Sequence, residues 1–470
     1  MTKYSEIITR RKSIIEKSLG FNYQEFELGG LAFDYERMMS NTGYSYAEIV
    51  ALQREVGVGA TPLLELRNIT RLMRKFAPAG YGARIFVKDE ACNISGSFKA
   101  RRAAVSVYHA ARLGYKGVVA ATSGNYGAAV AAQASLRGLK AIIVQETYDS
   151  RGLGQPEILE KGRACEAYGA EVIQLTVGPE LFAVFLQVLE ATGYFNASLY
   201  TPFGIAGIET LGVELADDMK LRTGGYPDVV VVTHAGGGNV TGTARGLRRA
   251  GAVSTEVVGA SIDLSGLHMA SDTDFNRKSF TTGHTGFGVP FATWPDRADV
   301  PRNAARPLRY LDRYVTVTQG EAFYVTEMLA QLEGLERGPA GNTALAAAFV
   351  LAQHMHAEQT IVVQETEYTG AGKHPNAQLT FAREQGIEVR LGEPRESVPG
   401  HSIVIPAHPR QLTLQDISLH ELRKSYLRNA LERKNEEPLT DVEERFLMDD
   451  CRATQELVMS TRRSIDATSR

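Results

Sequence analysis

The chain has 470 residues, 51 of them Lys or Arg against 54 Asp or Glu, for a formal charge of −3, and 44% of it is hydrophobic. That much apolar chain can bury two cores, so two domains with appendages are expected, and the near balance of charge gives no general reason to expect nucleic acid or a membrane surface as partner. Cys92, Cys165 and Cys451 are widely spaced, without partners at metal-ligand spacing, and no apolar run reaches the roughly 18 residues of a membrane span, so free thiols, no bound metal and a cytoplasmic location are expected.

Short Val/Ile-rich runs alternate with alanine-rich helical patterns, the signal of an α/β chain whose parallel sheet is covered on both faces. Strands are predicted near 84–88, 117–121, 140–145, 171–175, 228–233, 256–261 and 360–364. Four of them run into segments with chemical potential. Ile85-Phe86-Val87 leads to Ser95-Gly96-Ser97-Phe98-Lys99-Ala100-Arg101 at the start of a helical pattern. A lysine made partly neutral by desolvation, or by a neighbouring cation such as Arg101, attacks an aldehyde; the alternative is a solvated lysine in a first helical turn.

The second segment, Thr122-Ser123-Gly124-Asn125-Tyr126-Gly127, follows the run 117–121 and precedes a helix over Ala128 to Leu136. A helix N-terminus favours a carboxylate, and the Asn125 amide can donate to a phenolate-type oxygen; an ordinary strand-to-helix turn also uses these residues. Third, Val229-Val230-Val231-Val232-Thr233 enters His234-Ala235-Gly236-Gly237-Gly238-Asn239. Consecutive glycines let N–H groups converge on a phosphate, while the missing Gly-Lys-Ser/Thr and the Thr at position 241 exclude the nucleoside-triphosphate loop and the dinucleotide fingerprint. Last, Ile361-Val362-Val363-Gln364 is followed by Glu365-Thr366-Glu367-Tyr368-Thr369-Gly370. A strand-end hydroxyl such as Thr369 can hydrogen-bond a pyridine nitrogen without protonating it, or serve as a plain turn residue.

In this order the four segments resemble the fold-type II pyridoxal-phosphate enzymes, the superfamily of threonine synthase, threonine dehydratase, cysteine synthase and the tryptophan synthase β chain, over roughly residues 55 to 405. The resemblance implies two parallel-sheet domains of tryptophan synthase β-like architecture with extra C-terminal helices. The limits it implies are 1–105 for N-terminal helices and part of a larger cofactor domain, 106–205 for a smaller mobile domain, 206–410 for the rest of the larger one, and 411–470 for a helical tail. It makes Lys99 the catalytic lysine that carries pyridoxal 5'-phosphate covalently and Asn125 the partner of the cofactor's 3-hydroxyl. Gly236, Gly237, Gly238 and Asn239 would hold the phosphate, Thr369 the ring nitrogen, and Ser123, Gly124 and Tyr126 the substrate carboxylate. Asn93-Ile94-Ser95-Gly96 departs from the usual Asn-Pro-Thr-Gly before the lysine, which argues against a standard threonine synthase or dehydratase.

Length, the extended N-terminal region and the runs around Lys99 and Gly236 look like the larger subunits of the two-subunit thiolases of ornithine breakdown. Those enzymes pair a cofactor-bearing chain with a small companion (alpha) subunit on a homodimeric core. They cleave 2-amino-4-oxopentanoate with coenzyme A to acetyl-CoA and alanine, as the D-isomer. No cysteine nucleophile is needed. Residues 265–313, rich in Gly, Pro and Arg, would cover the site, with Arg297 and Arg302 as contacts for coenzyme A, unless these arginines are merely solvated. His234, His268 and His284 are candidates to deprotonate the thiol, though such histidines are more often structural. The alternatives are a β-eliminating lyase or threonine synthase relative using the same residues without a thiol acceptor, and a non-catalytic cofactor-binding interaction protein. In the tail, apolar spacing with Thr440 and Glu443 as a capping box predicts two helices packed on the body or on another subunit.

Overall fold

The computed structural model describes residues 4–122, 124–148, 152–176, 180–263, 299–398, 401–434 and 438–468. The larger sheet has seven strands in the order Gln415–Asp416, Arg313–Val317, Glu256–Ile262, Val229–Thr233, Thr360–Glu365, Arg84–Asp89 and Leu63–Glu65. The five inner strands are mutually parallel and the two short edge strands run antiparallel. Alternation along the strands sends Val230, Val232, Val362 and Phe86 into one core and Val229, Val231, Ile361, Val363, Ile85 and Val87 into the other, which is why these runs are continuously apolar. The smaller sheet has four parallel strands, in the order Glu171–Thr176, Lys140–Tyr148, Gly117–Thr122 and Phe195–Asn196.

All seven predicted strands are present, the largest difference being the extension of the third to Tyr148. The edge strands Leu63–Glu65 and Gln415–Asp416 were not anticipated, because three and two residues are too few to show a period. Nor was the parallel pair Glu388–Gly392 and Ser402–Pro406, which covers a small core of Phe323, Leu379, Ile387 and Ile403. The expected domain limits at 105/106 and 205/206 fall inside helices Lys99–Arg112 and Pro202–Thr223, which pack on each other.

The tail forms three helices, Leu419–Arg433, Asp441–Cys451 and Gln455–Thr468, where two were expected. The chain turns at Arg452, in the left-handed region at φ 54°, and this short turn is invisible to apolar spacing. The capping box is present: Glu443 N donates to Thr440 Oγ1 at 3.3 Å and Thr440 N to Glu443 Oε2 at 2.9 Å. Leu422, Tyr426, Leu431, Phe446 and Leu447 join one core with Phe33 and Tyr35, so the tail docks on its own chain. Among the described residues no helix is long and apolar enough to cross a membrane.

The order of the larger sheet decides where function can sit. Strands Val229–Thr233, Thr360–Glu365 and Arg84–Asp89 are adjacent and parallel, so the segments leaving their C-terminal ends emerge along one edge. From Val229–Thr233 the chain proceeds outward through Glu256–Ile262 and Arg313–Val317, then returns to the other side at Thr360–Glu365. Such a reversal of winding opens a crevice at the strand ends.

Candidate active site

Lys99 is fixed by the backbone before it. Ser95 (φ 63°) and Gly96 (φ 71°) are both left-handed, and a Cβ on Gly96 would lie 2.3 Å from the Tyr368 ring, so only glycine fits there. This turn pins the lysine segment to the exit of Thr360–Glu365: Phe98 N donates to Thr366 O at 3.2 Å and Tyr368 N to Gly96 O at 2.8 Å. Helix Lys99–Arg112 begins at the lysine itself, which is half-buried with Nζ 4.6 Å from the centre of the Phe98 ring.

Beneath it lies a neutralised charge cluster. Arg101 Nε donates to Glu90 Oε2 at 2.7 Å, Nη2 to Glu90 Oε1 at 2.7 Å and Nη1 to Glu214 Oε2 at 3.1 Å. Lys88 Nζ reaches Glu214 Oε1 and Asp218 Oδ2, each at 2.6 Å. Burial pushes the Glu214 carboxyl up, but Arg101 and Lys88 outweigh it and hold the pKa down at about 2. Arg101, the neighbouring cation expected to act on Lys99, therefore has its charge taken up by carboxylates. Arg102 does not. It is 1% exposed; among the described residues its side chain makes one hydrogen bond, from Nη2 to Leu199 O, and its Nε has no partner.

The glycine segment leaves Val229–Thr233 and enters helix Gly238–Arg249. Gly237 is left-handed at φ 74°, and Gly238 lies so close to Arg102 that a Cβ would sit 2.5 Å from Nη2. Asn239 is buried with neither amide atom hydrogen-bonded, and the buried His234 ring stands edge-on to Tyr314 at 5.2 Å.

From the smaller sheet, Gly117–Thr122 delivers the helix Asn125–Leu136 to the same crevice. Gly124 N donates to Thr122 Oγ1 at 3.0 Å; Ser123 lies outside the described residues. Asn125 Nδ2 donates to Glu367 Oε2, and its Oδ1 accepts from Lys373 Nζ at 2.9 Å, with Lys373 and Glu367 paired at 3.4 Å. The second N–H of Asn125 Nδ2 can therefore be donated to a ligand oxygen while the first stays on Glu367. Burial raises the Glu367 carboxyl, but Lys373 and Lys161 outweigh it and lower it, while burial lowers Lys373 itself. Tyr126 turns its ring into the interior, where burial pushes its phenol up to about 12, so what it offers a carboxylate is its backbone N–H. Beyond Thr360–Glu365, burial lifts Glu365 well above the usual carboxylate range. Its Oε1 accepts from Thr366 N at 3.0 Å; Oε2 is buried without a partner, as is Thr369 Oγ1.

Orphaned buried polar atoms collect on all three exits: Ser95 Oγ, Ser97 Oγ, Arg102 Nε, Asn239 Oδ1 and Nδ2, Glu365 Oε2 and Thr369 Oγ1. Each costs about 1–3 kcal/mol unless something pairs with it, so the crevice suits a ligand with a polar rim and an anionic end. An aldehyde-bearing pyridine with a phosphate fits that donor set, with the amine of Lys99 beside it. Residues 55–367 match the family model described as pyridoxal-phosphate dependent enzyme. This chain belongs to the pyridoxal-phosphate-dependent enzymes.

The enzyme is 64% identical over 462 residues to the 2-amino-4-ketopentanoate thiolase beta subunit of Acetoanaerobium sticklandii, covering 98% of each chain. It is 63% identical over 464 residues to a protein of that name from an unknown prokaryotic organism, covering 99% of this chain and 98% of the other. A solved pyridoxal 5'-phosphate-dependent aspartate racemase shares the fold at a TM-score of 0.56 and 19% identity, covering 70% of this chain and 98% of that one. The two-sheet architecture is that of the fold-type II enzymes.

The expected covering segment is represented only by its end, since Arg297, His268 and His284 lie outside the described residues. Arg302 pairs with Glu27 at 2.8 Å and lies 5.1 Å from the centre of the Phe33 ring. Arg306 is buried against Asp450 and Tyr426. Sequence reasoning overlooked Arg102, Glu365, Glu367 and Lys373. For Arg102 a signal existed: three residues after Lys99 on a helix is one turn away, on the same side.

Proposed function

We propose that the enzyme is the cofactor-bearing subunit of a thiolase that converts 2-amino-4-oxopentanoate and coenzyme A to acetyl-CoA and alanine, the D-isomer, in ornithine degradation. What carries this reading is 63–64% identity, over nearly the whole length, to proteins named as the beta subunit of that thiolase. A beta subunit implies an alpha companion, here a small one, on a homodimeric core of this chain. Bound pyridoxal phosphate supplies an electron sink for charge developing at the substrate's α-carbon.

The residues divide the remaining work. Lys99 would hold the cofactor, and its amine, when free, would remove a proton from the substrate Cα and return it. The N–H groups of Gly124, Asn125 and Tyr126, at the positive end of their helix, bind the substrate carboxylate together with Ser123. Gly236 to Asn239 would take the phosphate, and the Thr369 hydroxyl would bond the ring nitrogen without protonating it. The coenzyme A thiol attacks the C4 carbonyl directly: the new C–S bond forms as the C3–C4 bond breaks, and C3 takes a proton to become the methyl group of alanine. A cysteine relay finds no support, since burial pushes the thiols of Cys165 and Cys451 up to about 12 and burial together with Asp89 raises that of Cys92, which disfavours the thiolate in all three. Arg297 and Arg302 at the covering segment are proposed contacts for coenzyme A.

The test is to incubate the purified chain, with and without its companion, with 2-amino-4-oxopentanoate and coenzyme A, and to follow acetyl-CoA by mass. Lys99→Ala is expected to lower the rate by about 10⁴-fold or more and to abolish the visible band of bound cofactor. Ammonia and a keto acid from diaminopropionate or serine, with no acetyl-CoA even in the companion's presence, would move the enzyme to the lyases.

A further inference from the structure

Two arginines stand side by side on the first turn of the Lys99 helix, and their surroundings are opposite. Arg101 has Glu90 and Glu214, whereas Arg102, equally buried, has no ion pair with any described residue. Its neighbours are backbone and aromatic. Leu199 O accepts one N–H, the Tyr200 ring centre lies 5.9 Å from Cζ, and Gly204 and Gly238 are close enough that a Cβ on either would meet the side chain at 3.3 and 2.5 Å. Burial without a carboxylate lowers the affinity of this guanidinium for its proton. Arginine nevertheless stays charged in proteins, so among the described residues Arg102 is an uncompensated interior cation, an arrangement that is costly unless an anion joins it.

Where that cation points identifies the anion. Its terminal nitrogens press on Gly238, the first residue of a twelve-residue helix, at the end of the triple-glycine segment. Asn239, next in the chain, is 5% exposed with both amide atoms unpartnered. The spot therefore combines a helix N-terminus, glycines that let a ligand approach the backbone, an idle amide and an unneutralised guanidinium. No one of these makes a site, but together they form a receptor for a compact dianion.

We propose that Arg102 is a cofactor-binding residue, the counter-charge that holds the phosphate of pyridoxal phosphate against the glycine segment. The inference rests on the cofactor assignment and adds to it a side-chain cation in a cradle otherwise built from backbone. It also gives the Arg-Arg pair a division of labour: Arg101 anchors the helix, and Arg102, one residue on, binds the ligand.

The experiment compares pyridoxal phosphate with pyridoxal, which has the aldehyde but lacks the phosphate, in absorbance titrations of the cofactor-free full chain. Wild type should bind the phosphorylated form far more tightly. In Arg102→Met that affinity should fall by about 10- to 100-fold while pyridoxal affinity stays within about twofold, and Arg102→Lys should fall in between. The cofactor-free Arg102→Met chain should melt no lower than wild type, because it has lost an unpaired charge. Equal losses for both ligands, or none for the phosphate, overturn the proposal. A wild-type measurement guards against variants that do not fold: the ³¹P resonance of the bound cofactor should stay that of a dianion well below pH 6, where a free phosphate monoester gains a proton. Titration of the bound phosphate near its free value overturns the proposal. A wild-type chain that binds neither ligand overturns the cofactor assignment as well, a result distinct from a wild type that binds and a variant that binds equally.

Discussion

The foundation under Lys99 and the cradle in front of it each contain a buried arginine and a buried glutamate and differ in how completely their polar groups are satisfied. In the foundation, Arg101, Lys88, Glu90, Glu214 and Asp218 form a closed set of ion pairs at 2.6–3.1 Å. In the cradle, Arg102, Asn239, Glu365 and Thr369 keep buried atoms without partners. A closed set is complete when the chain folds, so its charges serve structure. An open set costs free energy in the folded chain, and binding a ligand is what recovers it.

The largest effect should come from opening the closed set. Glu90→Gln leaves the Arg101 guanidinium buried with one hydrogen-bond acceptor in place of a bidentate carboxylate, and Glu90 is 0% exposed. Stability should fall by about 3–5 kcal/mol, read as a lower denaturant midpoint at unchanged slope. The comparison breaks if this variant loses cofactor affinity at unchanged stability, because the foundation would then be part of the site.

That distinction marks what the sequence could reveal. Parallel strands buried on both faces print continuous apolar runs, so Arg84–Asp89, Val229–Thr233 and Thr360–Glu365 were legible, and with them the residues that follow each strand. Lys99, Asn125, the triple glycine and Thr369 emerge on one crevice because strand exits are local facts and the sheet does the rest. Which of two adjacent arginines is neutralised depends on Glu90 and on Glu214, 113 positions further on, and no local pattern reports such a pairing. For the same reason Glu367 and Lys373 were missed: they matter through Asn125, more than 240 positions away in sequence.

A second expected effect sharpens the same contrast through pH. Glu214 is held at about 2 in the folded chain against an ordinary value of 4.5. A carboxylate with a depressed pKa contributes its stability in full above 4.5 and loses it as pH falls toward 2, here about 3 kcal/mol in all. Wild type should therefore exceed Glu214→Gln in stability at pH 7, and the two should converge between pH 4.5 and 2 as the wild-type carboxyl takes up its proton. A gap that stays constant through that window would mean that the ion pairs are not what separates them.

The smallest effect is the most selective. Thr369→Val keeps shape and removes one hydroxyl whose oxygen is buried and unpartnered. In the cofactor-free chain that oxygen has nothing to lose, so melting should stay level or rise slightly. On the proposed assignment the hydroxyl bonds the ring nitrogen of the loaded enzyme, and losing one hydrogen bond of about 1 kcal/mol should weaken pyridoxal phosphate roughly five-fold. Unlike the loss from Arg102→Met, this one should be equal for pyridoxal, because the ring is common to both ligands. Two cradle residues would then be told apart by the part of the cofactor each one feels. If Thr369→Val instead discriminates between the ligands by phosphate, the hydroxyl faces the glycine segment, and the ring nitrogen must find its partner elsewhere at that strand end, where Glu365 Oε2 and Glu367 Oε1 are also buried without partners and burial lifts the Glu365 carboxyl well above its ordinary range.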